Sequence, residues 1–327
     1  MKATAIAHPN VAVVKYWGKR DNVNFLPMNN SISLTVDSLY CKVTVEFSEN
    51  YDKDFATVNG GAPEQKVMER VLPHLNRIRK LAGIDLCARG AVETNFPIGV
   101  GLASSSAGFA ALTAAACAAA GLKLNAKELS IISRQGSGSS CRSIYGGWAE
   151  WLAGTHSEDS YAVQLARENH WDIRLITAVV SKAARKVDTR GGMEIAKNTS
   201  PLYEARLKAV ERDLPLVRKA IKDKDFDALG KIAEHEAMLL HATAITSTPP
   251  LVYWVPETVR IMQEVLALRS GGLETYFTFD TGANIHLICL PENEKEITLR
   301  LKEMPGVLQI HINKPGEGVK LVKEHLF

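Results

Sequence analysis

Paired cysteines, long apolar runs and an excess of one charge are all missing from this chain. Its 327 residues include five cysteines, Cys41, Cys87, Cys117, Cys141 and Cys289, an odd number, widely spaced and without a Cys-x-x-Cys pair. That pattern argues against a disulfide framework and a cysteine zinc site, and it fits a reducing compartment. No apolar run reaches the roughly 18 residues that a membrane span needs, and the first residues carry no apolar signal-type core. We therefore expect a cytoplasmic protein with no membrane partner. A formal net charge of +3 is close to balance, so charge makes no case for a nucleic-acid partner. No metal-ligand cluster is legible: His235 and His241 are six residues apart, off one helical face. With 46% hydrophobic residues, the chain can fill one large core or two ordinary ones.

What is present is small residues in the wrong places for a linker. Pro97 to Ala107 reads Pro-Ile-Gly-Val-Gly-Leu-Ala-Ser-Ser-Ser-Ala, and Gly108 to Ala120 continues almost entirely in alanine. Glycines, then hydroxyls, then a helix start describe an anion site, because free amide N–H groups and the positive end of the helix dipole face the ligand. No Lys follows as in a Walker loop, and the Gly-x-Gly-x-x-Gly spacing of a dinucleotide loop is missing. A second segment, Ser137-Gly138-Ser139-Ser140-Cys141-Arg142, ends in a guanidinium and leads toward a strand over 144–152. Lys15-Tyr16-Trp17-Gly18-Lys19-Arg20 puts cations directly after a strand-like run. Residues 181–193, with Thr189 and Arg190, form another basic loop. Asp280 follows an aromatic strand at a turn. A carboxylate facing a phosphate site among cations stays ionised and can accept a proton from an attacking hydroxyl.

In chain order, 30–37 and 41–47 alternate as two half-buried strands, expected to be antiparallel neighbours. Asn59-Gly60-Gly61 marks a turn. The spacing predicts a helix over 63–82, with Val67, Val71, Leu75, Ile78 and Leu81 along one stripe, Pro73 kinking or breaking it, and Gly83 ending it. A strand over 86–94 delivers the chain to the first Gly/Ser loop, and a helix is expected over 126–133. A buried strand covers 173–180. Beyond it, Ser200 caps a helix with Pro201 at its first position, running to Asp223 and kinked at Pro215. A helix over 226–240 is broken at His241, and a third spans 257–268. Strands at 276–279 and 285–290, a helix at 292–304 and strands near 307–312 and after Gly318 give the C-terminal half an antiparallel α+β plan.

Together, Lys15-Tyr16-Trp17-Gly18-Lys19, the 97–107 loop, Arg142-Ser143-Ile144-Tyr145-Gly146-Gly147 and Phe279-Asp280-Thr281-Gly282 resemble the mevalonate diphosphate decarboxylase family of the GHMP kinase superfamily. The resemblance runs from about residue 5 to about residue 290 and takes in Met238, His241-Ala242-Thr243 and Ser247-Thr248-Pro249-Pro250. It implies a two-lobed α+β fold: an N-terminal α/β lobe with a left-handed-type β-α-β core over 1–185, and a ferredoxin-like α+β lobe over 186–327. It implies ATP-dependent decarboxylation of mevalonate 5-diphosphate to isopentenyl diphosphate, by 3-O-phosphorylation and then loss of phosphate and carbon dioxide. ATP and Mg²⁺ are the implied cofactors, the partner is a small molecule, and the family commonly forms homodimers.

By the same resemblance, Asp280 orients or deprotonates the 3-hydroxyl, Arg142 orients the substrate carboxylate and Lys15 stabilises transferred charge. The substrate would lie on Tyr16, Trp17, Gly18, Lys19, Ser137, Gly138, Ser139, Ser140, Cys141, Arg142, Thr189 and Arg190. ATP phosphates would lie on Gly99, Gly101, Leu102, Ala103, Ser104, Ser105 and Ser106. Thr189 stands where many relatives have serine. The 97–101 stretch departs from the commoner Pro-Thr-Ala-Ala-Gly, so Ile98 replaces a hydroxyl. A small-molecule kinase of the superfamily and a mevalonate 5-phosphate decarboxylase are the neighbouring readings.

Overall fold

In the computed structural model, which describes residues 1–96, 104–183 and 187–327, the N-terminal half is built from short strands around one very small-residue helix. Its elements are β1 (Lys2–Ala7), β2 (Asn10–Val14), β3 (Lys19–Asp21), β4 (Leu26–Pro27), β5 (Ser31–Thr35), β6 (Cys41–Ser48) and β7 (Phe55–Val58). Next come α1 (Gln65–Ala82), β8 (Cys87–Thr94), α2 (Ser104–Ala119), α3 (Ala126–Gly136), a 3₁₀ segment (Gly138–Ile144), β9 (Trp148–Trp151), β10 (Ala162–Ala166) and β11 (Arg174–Val179). The C-terminal half holds α4 (Thr189–Thr199), α5 (Tyr203–Asp223), α6 (Phe226–Ile245), α7 (Pro256–Ser270), β12 (Thr275–Thr278), β13 (Ile285–Cys289), α8 (Glu294–Glu303), β14 (Gln309–Asn313) and β15 (Lys320–Val322). The architecture is α+β.

One sheet has the order β15-β1-β6-β8-β7, with only β7 and β8 parallel, so that β7, α1 and β8 form a β-α-β unit. Two antiparallel sheets run β10-β9-β5-β2 and β12-β13-β11-β14. Helix α2 packs on β1 and β6. Ala107, Ala110, Ala111, Ala115 and Ala116 are buried there, and their lack of bulk brings the helix, and hence its N-terminus, close to the sheet. Helices α5 and α6 pack on each other and on β2. A continuous core joins Val11, Ile32 and Leu34 to Val210, Val217 and Ile288, tying the two halves together. A second core, with Phe277, Phe279, Leu287 and Ile261, lies on the other face of the third sheet.

Local chemistry explains most boundaries. Asn125 and Glu128 form a reciprocal capping box on α3, Asp225 caps α6, Pro256 opens α7, and Gly83 ends α1 at φ 66°. Asn59 and Gly60 both take positive φ in their turn.

Several expectations need correction. The strands at 31–35 and 41–48 are not neighbours but lie in different sheets, and β5 is buried on both faces rather than half-buried. Pro73 does not break its helix, and α5 likewise runs on through Pro215. Both are exposed, so water can satisfy the carbonyl that loses its N–H partner. Leu81 faces solvent instead of the α1 stripe. Ser200 closes α4, and α5 begins only at Tyr203. Residues 189–193, expected within a basic loop over 181–193, instead open the helix α4, where the Asp188 side chain caps the Gly191 N–H at 2.7 Å. His241 does not break α6, which runs to Ile245. Finally, β11 precedes residue 186 yet is hydrogen-bonded between β13 and β14, and β15 pairs with β1. Chain order and sheet membership cross near the expected boundary.

Candidate active site

Lys15 leaves the end of β2 into the space between the sheets and is 1% exposed. Its backbone is fixed before its ammonium does anything. The carbonyl accepts from Arg206 Nη2 at 2.7 Å and Asn29 Nδ2 at 3.0 Å, and the N–H donates to Glu236 at 3.2 Å. Arg206 and Glu236 form an ion pair at 3.5 Å with both side chains fully buried. This pair from α5 and α6 is the strut under Lys15. The ammonium points to Asp280, with Nζ to Oδ1 at 3.2 Å. Burial pushes the Lys15 amine down, against the pull of Asp280. Burial would raise the Asp280 carboxyl, but Lys15, His286 and Arg142 outweigh it and hold the group below its ordinary value.

Arg142, in the 3₁₀ segment, is 2% exposed. It donates from Nε to Ser33 Oγ at 2.8 Å and Asn10 Oδ1 at 3.2 Å, from Nη2 to Asn10 Oδ1 at 3.1 Å, and from Nη1 to Ser31 Oγ. Every one of these acceptors is neutral. Among the described residues no carboxylate forms an ion pair with this guanidinium. A buried cation served only by neutral oxygens is electrostatically incomplete and invites an anion.

Lys15, Arg142 and Asp280 line one cavity of about 720 Å³. Tyr16, Ser137, Gly138, Ser139, Thr189, Arg190, Thr281 and Ser105 share its polar wall, and Phe55, Val58, Val67, Val71, Phe109 and Leu112 give it an apolar one. Arg190 reaches in from the first turn of α4, anchored by Nη2 to the Gly136 carbonyl at 3.0 Å. Its guanidinium and the Lys19 ammonium both lie on the Phe25 ring, at 4.8 Å and 4.9 Å from the centroid. Thr189 and Thr281 hydroxyls meet at 2.9 Å beside Asp280.

Trp17 also lines the cavity, and it is fully buried against Met193, Leu240 and Leu251. Other residues expected at the site have their side chains elsewhere. Gly18, at φ 113°, is a spacer: a Cβ there would overlap the Tyr203 hydroxyl, which donates to the Trp17 carbonyl at 2.8 Å. Lys19 lies behind Phe25 and is not part of the cavity wall. The Ser140 hydroxyl is spent on the Ser133 and Ser137 carbonyls, and Cys141 is buried with Trp151. Ser106 is buried and faces the Asn10 N–H at 3.4 Å. Ser104 opens α2, whereas Gly99, Gly101, Leu102 and Ala103, with Ile98, lie outside the described residues. His235 is exposed and His241 buried, and no cluster of three metal-binding side chains occurs among the described residues.

Sequence reasoning missed Asn10, Ser31, Ser33, Arg206 and Glu236. Ser31 and Ser33 alternate with Ile32 and Leu34 and read as a solvated strand face, but that face meets Arg142. Among the described residues no helix is long and apolar enough to cross a membrane.

Residues 7–162 match the diphosphomevalonate decarboxylase-like N-terminal domain, and residues 175–316 the mevalonate 5-diphosphate decarboxylase C-terminal domain. The phosphomevalonate decarboxylase of Haloferax volcanii is 34% identical over 288 residues, 88% of each chain. The crystal structure of mevalonate diphosphate decarboxylase from Staphylococcus aureus superposes with a TM-score of 0.94 at 38% identity, covering 98% of each chain. A related structure, MDDEF in complex with MVAPP, AMPPCP and magnesium, superposes with a TM-score of 0.93 at 36% identity over 99% of each chain.

Proposed function

Because the chain belongs to the diphosphomevalonate decarboxylase family, we propose that it decarboxylates mevalonate 5-diphosphate at the expense of ATP, giving isopentenyl diphosphate, ADP, phosphate and carbon dioxide. The observation that carries this reading is the buried Arg142 guanidinium with neutral partners only, in one cavity with the Lys15–Asp280 pair. A kinase needs a base and a phosphate clamp. A decarboxylase also needs a cation for a carboxylate it will release, and Arg142 supplies it.

In this reading the substrate C1 carboxylate lies on Arg142 and the C3 hydroxyl on Asp280. Asp280 takes the hydroxyl proton as the oxygen attacks the γ-phosphorus and ADP departs. Lys15 offsets charge on the transferring group. The C3–O bond then breaks with loss of phosphate, and the C1–C2 electron pair becomes the C2=C3 double bond as carbon dioxide leaves. Arg142 keeps the carboxylate in place until that moment.

Tyr16, Ser139 and Arg190, with Lys19 behind Phe25, would hold the diphosphate. Two cations converging on one ring favour two phosphates over one. The nucleotide would lie between the apolar wall and the start of α2, whose amides face a phosphate well. Magnesium neutralises phosphate charge when bound. Among the described residues no cluster of metal-binding side chains occurs, so it would be carried by the triphosphate, with the Ser105 hydroxyl at the start of α2 as a protein oxygen that could join its ligands. Thr189, hydrogen-bonded to Thr281, would flank the phosphoryl path. We extend the reading to a homodimer in the cytoplasm. Five free thiols suit a reducing compartment, and the dimer rests on the family resemblance.

Asp280→Asn tests the assignment. Turnover should fall about 10³-fold or more while apparent affinities for both substrates change only a few-fold. Near-normal turnover would remove Asp280 from the chemistry.

A further inference from the structure

The carboxylate of Asp280 is aimed by Lys15, but its backbone is held from the other side by a residue that never reaches the cavity. His241 on α6 is fully buried. Its Nε2 lies 3.2 Å from the Asp280 carbonyl oxygen. A carbonyl only accepts, so Nε2 must carry the proton and Nδ1 must be bare; Nδ1 has no hydrogen-bond partner. The ring is locked in that orientation by aromatic walls. It stacks on Trp254 at 4.9 Å and 16°, and meets Phe279 edge-on at 4.6 Å and Tyr253 edge-on at 5.8 Å. Burial pushes the imidazole down to about 3, so it stays neutral, with a single ring proton, across the working range. The same carbonyl also accepts the tight turn bond from the Gly282 N–H at 2.9 Å.

We propose that His241 is a positioning residue for the reaction: its Nε2–H fixes the peptide of Asp280, and through it the direction in which the carboxylate meets the substrate hydroxyl. This rests on the reading of Asp280 given above. The geometry fits a positioning role and not a proton-transfer one. His241 does not line the cavity, and its bond is to the backbone of the reacting residue. The cost of this arrangement is an orphaned buried nitrogen. A purely packing residue at this place would be better served by phenylalanine, which fits the same aromatic box without leaving Nδ1 unpaired.

That contrast supplies the test. Turnover, Michaelis constants and thermal midpoints are measured for His241→Phe, His241→Gln and Asp280→Asn, with rates taken well below each midpoint. His241→Phe keeps the ring contacts and loses the donor. It should melt no lower than the wild type, yet kcat should fall about 10- to 100-fold with both Michaelis constants within about threefold, the signature of a displaced reacting group. Glutamine carries an amide N–H at a similar reach and should recover most of the lost kcat despite looser packing. A His241→Phe enzyme with kcat within twofold of wild type, or a His241→Gln enzyme no faster than His241→Phe, would overturn the proposal. Asp280→Asn separates the two failures. If it turns over normally, the reading of Asp280 has failed. If it is inactive while His241→Phe is normal, only the inference about His241 has failed.

Discussion

Replacing Arg142 by glutamine removes a buried cation that forms no ion pair with a carboxylate among the described residues, and its consequences can be worked through from its contacts. In the wild type the guanidinium serves Ser31, Ser33 and Asn10. Losing it strands Asn10 Oδ1, which accepts from both Nε and Nη2, at a cost of about 1–3 kcal/mol. Against this, the fold no longer desolvates an unpaired charge, an offset of similar size. We expect a thermal midpoint within a few degrees of wild type. The catalytic effect is not offset. Truncating one partner of a buried, hydrogen-bonded charge pair costs roughly 2–5 kcal/mol, or about 30- to 5,000-fold in kcat/KM for the carboxylate substrate. Arg142→Lys should fall between, because it keeps the charge and loses the planar fork. The assay follows ADP and carbon dioxide separately, with apparent affinity for ATP as the internal control. If Arg142→Gln keeps kcat/KM for the substrate within threefold, the guanidinium is a structural brace for β2 and β5, and the carboxylate site assigned to it is wrong.

Other consequences follow from the same geometry. Burial alone would raise the Asp280 carboxyl, yet Lys15 and its cationic neighbours hold it low; since the ionised form is the active one, the rate should stay level as pH falls through 6 and 5 and drop only at lower pH, beneath the usual carboxylate value of about 3.9. Lys15→Met removes the largest lowering influence, so its residual activity should be lost at higher pH than in the wild type; an unmoved acid limb would contradict the pairing. Arg206→Met leaves Glu236 buried without its cation and should cost about 3–5 kcal/mol in urea unfolding with little change in m. The double variant Arg206→Met/Glu236→Leu should regain most of that stability without regaining turnover, because the Lys15 backbone loses two of its holds; parallel recovery of both would refute the strut. Arg190→Ala should raise KM for the diphosphate substrate about 10- to 100-fold and leave KM for ATP within a few-fold. An unchanged KM would take Arg190 out of the diphosphate site.

The parts of this molecule that were legible in its sequence are those with local causes. Periodicity and end signals located α1, α5, α7 and the strand β8 to within a few residues, and Gly83 ends its helix as its residue type requires. Lys15, Arg142 and Asp280 stood out because each charge adjoins a strand or a Gly/Ser segment. What failed depends on what packs across. Ser31 and Ser33 alternate like a solvated face, and only the neighbours of β5 bury them. The glycines at 191 and 192 weaken a helix by propensity, by about 1 kcal/mol each. There the Asp188 cap and packing win, since a Cβ at Gly192 would overlap the Tyr253 hydroxyl. His241 looked like a helix end because Ala-Thr and a Pro-rich stretch follow it. Its partner, Asp280, is 39 residues away, a distance no local pattern reports. Glu236 and Arg206 are invisible for the same reason: a charged residue in an amphipathic helix is ordinarily solvated, and these two find each other inside.

The most direct measurement is the release of carbon dioxide and ADP from Mg-ATP with mevalonate 5-diphosphate and, separately, with mevalonate 5-phosphate at equal concentration. The account predicts equal yields of both products from the diphosphate and little from the monophosphate, since in it Arg142 serves the carboxylate while Arg190 serves the second phosphate. ADP without carbon dioxide would contradict the role of Arg142, and decarboxylation favouring the monophosphate would contradict the diphosphate site.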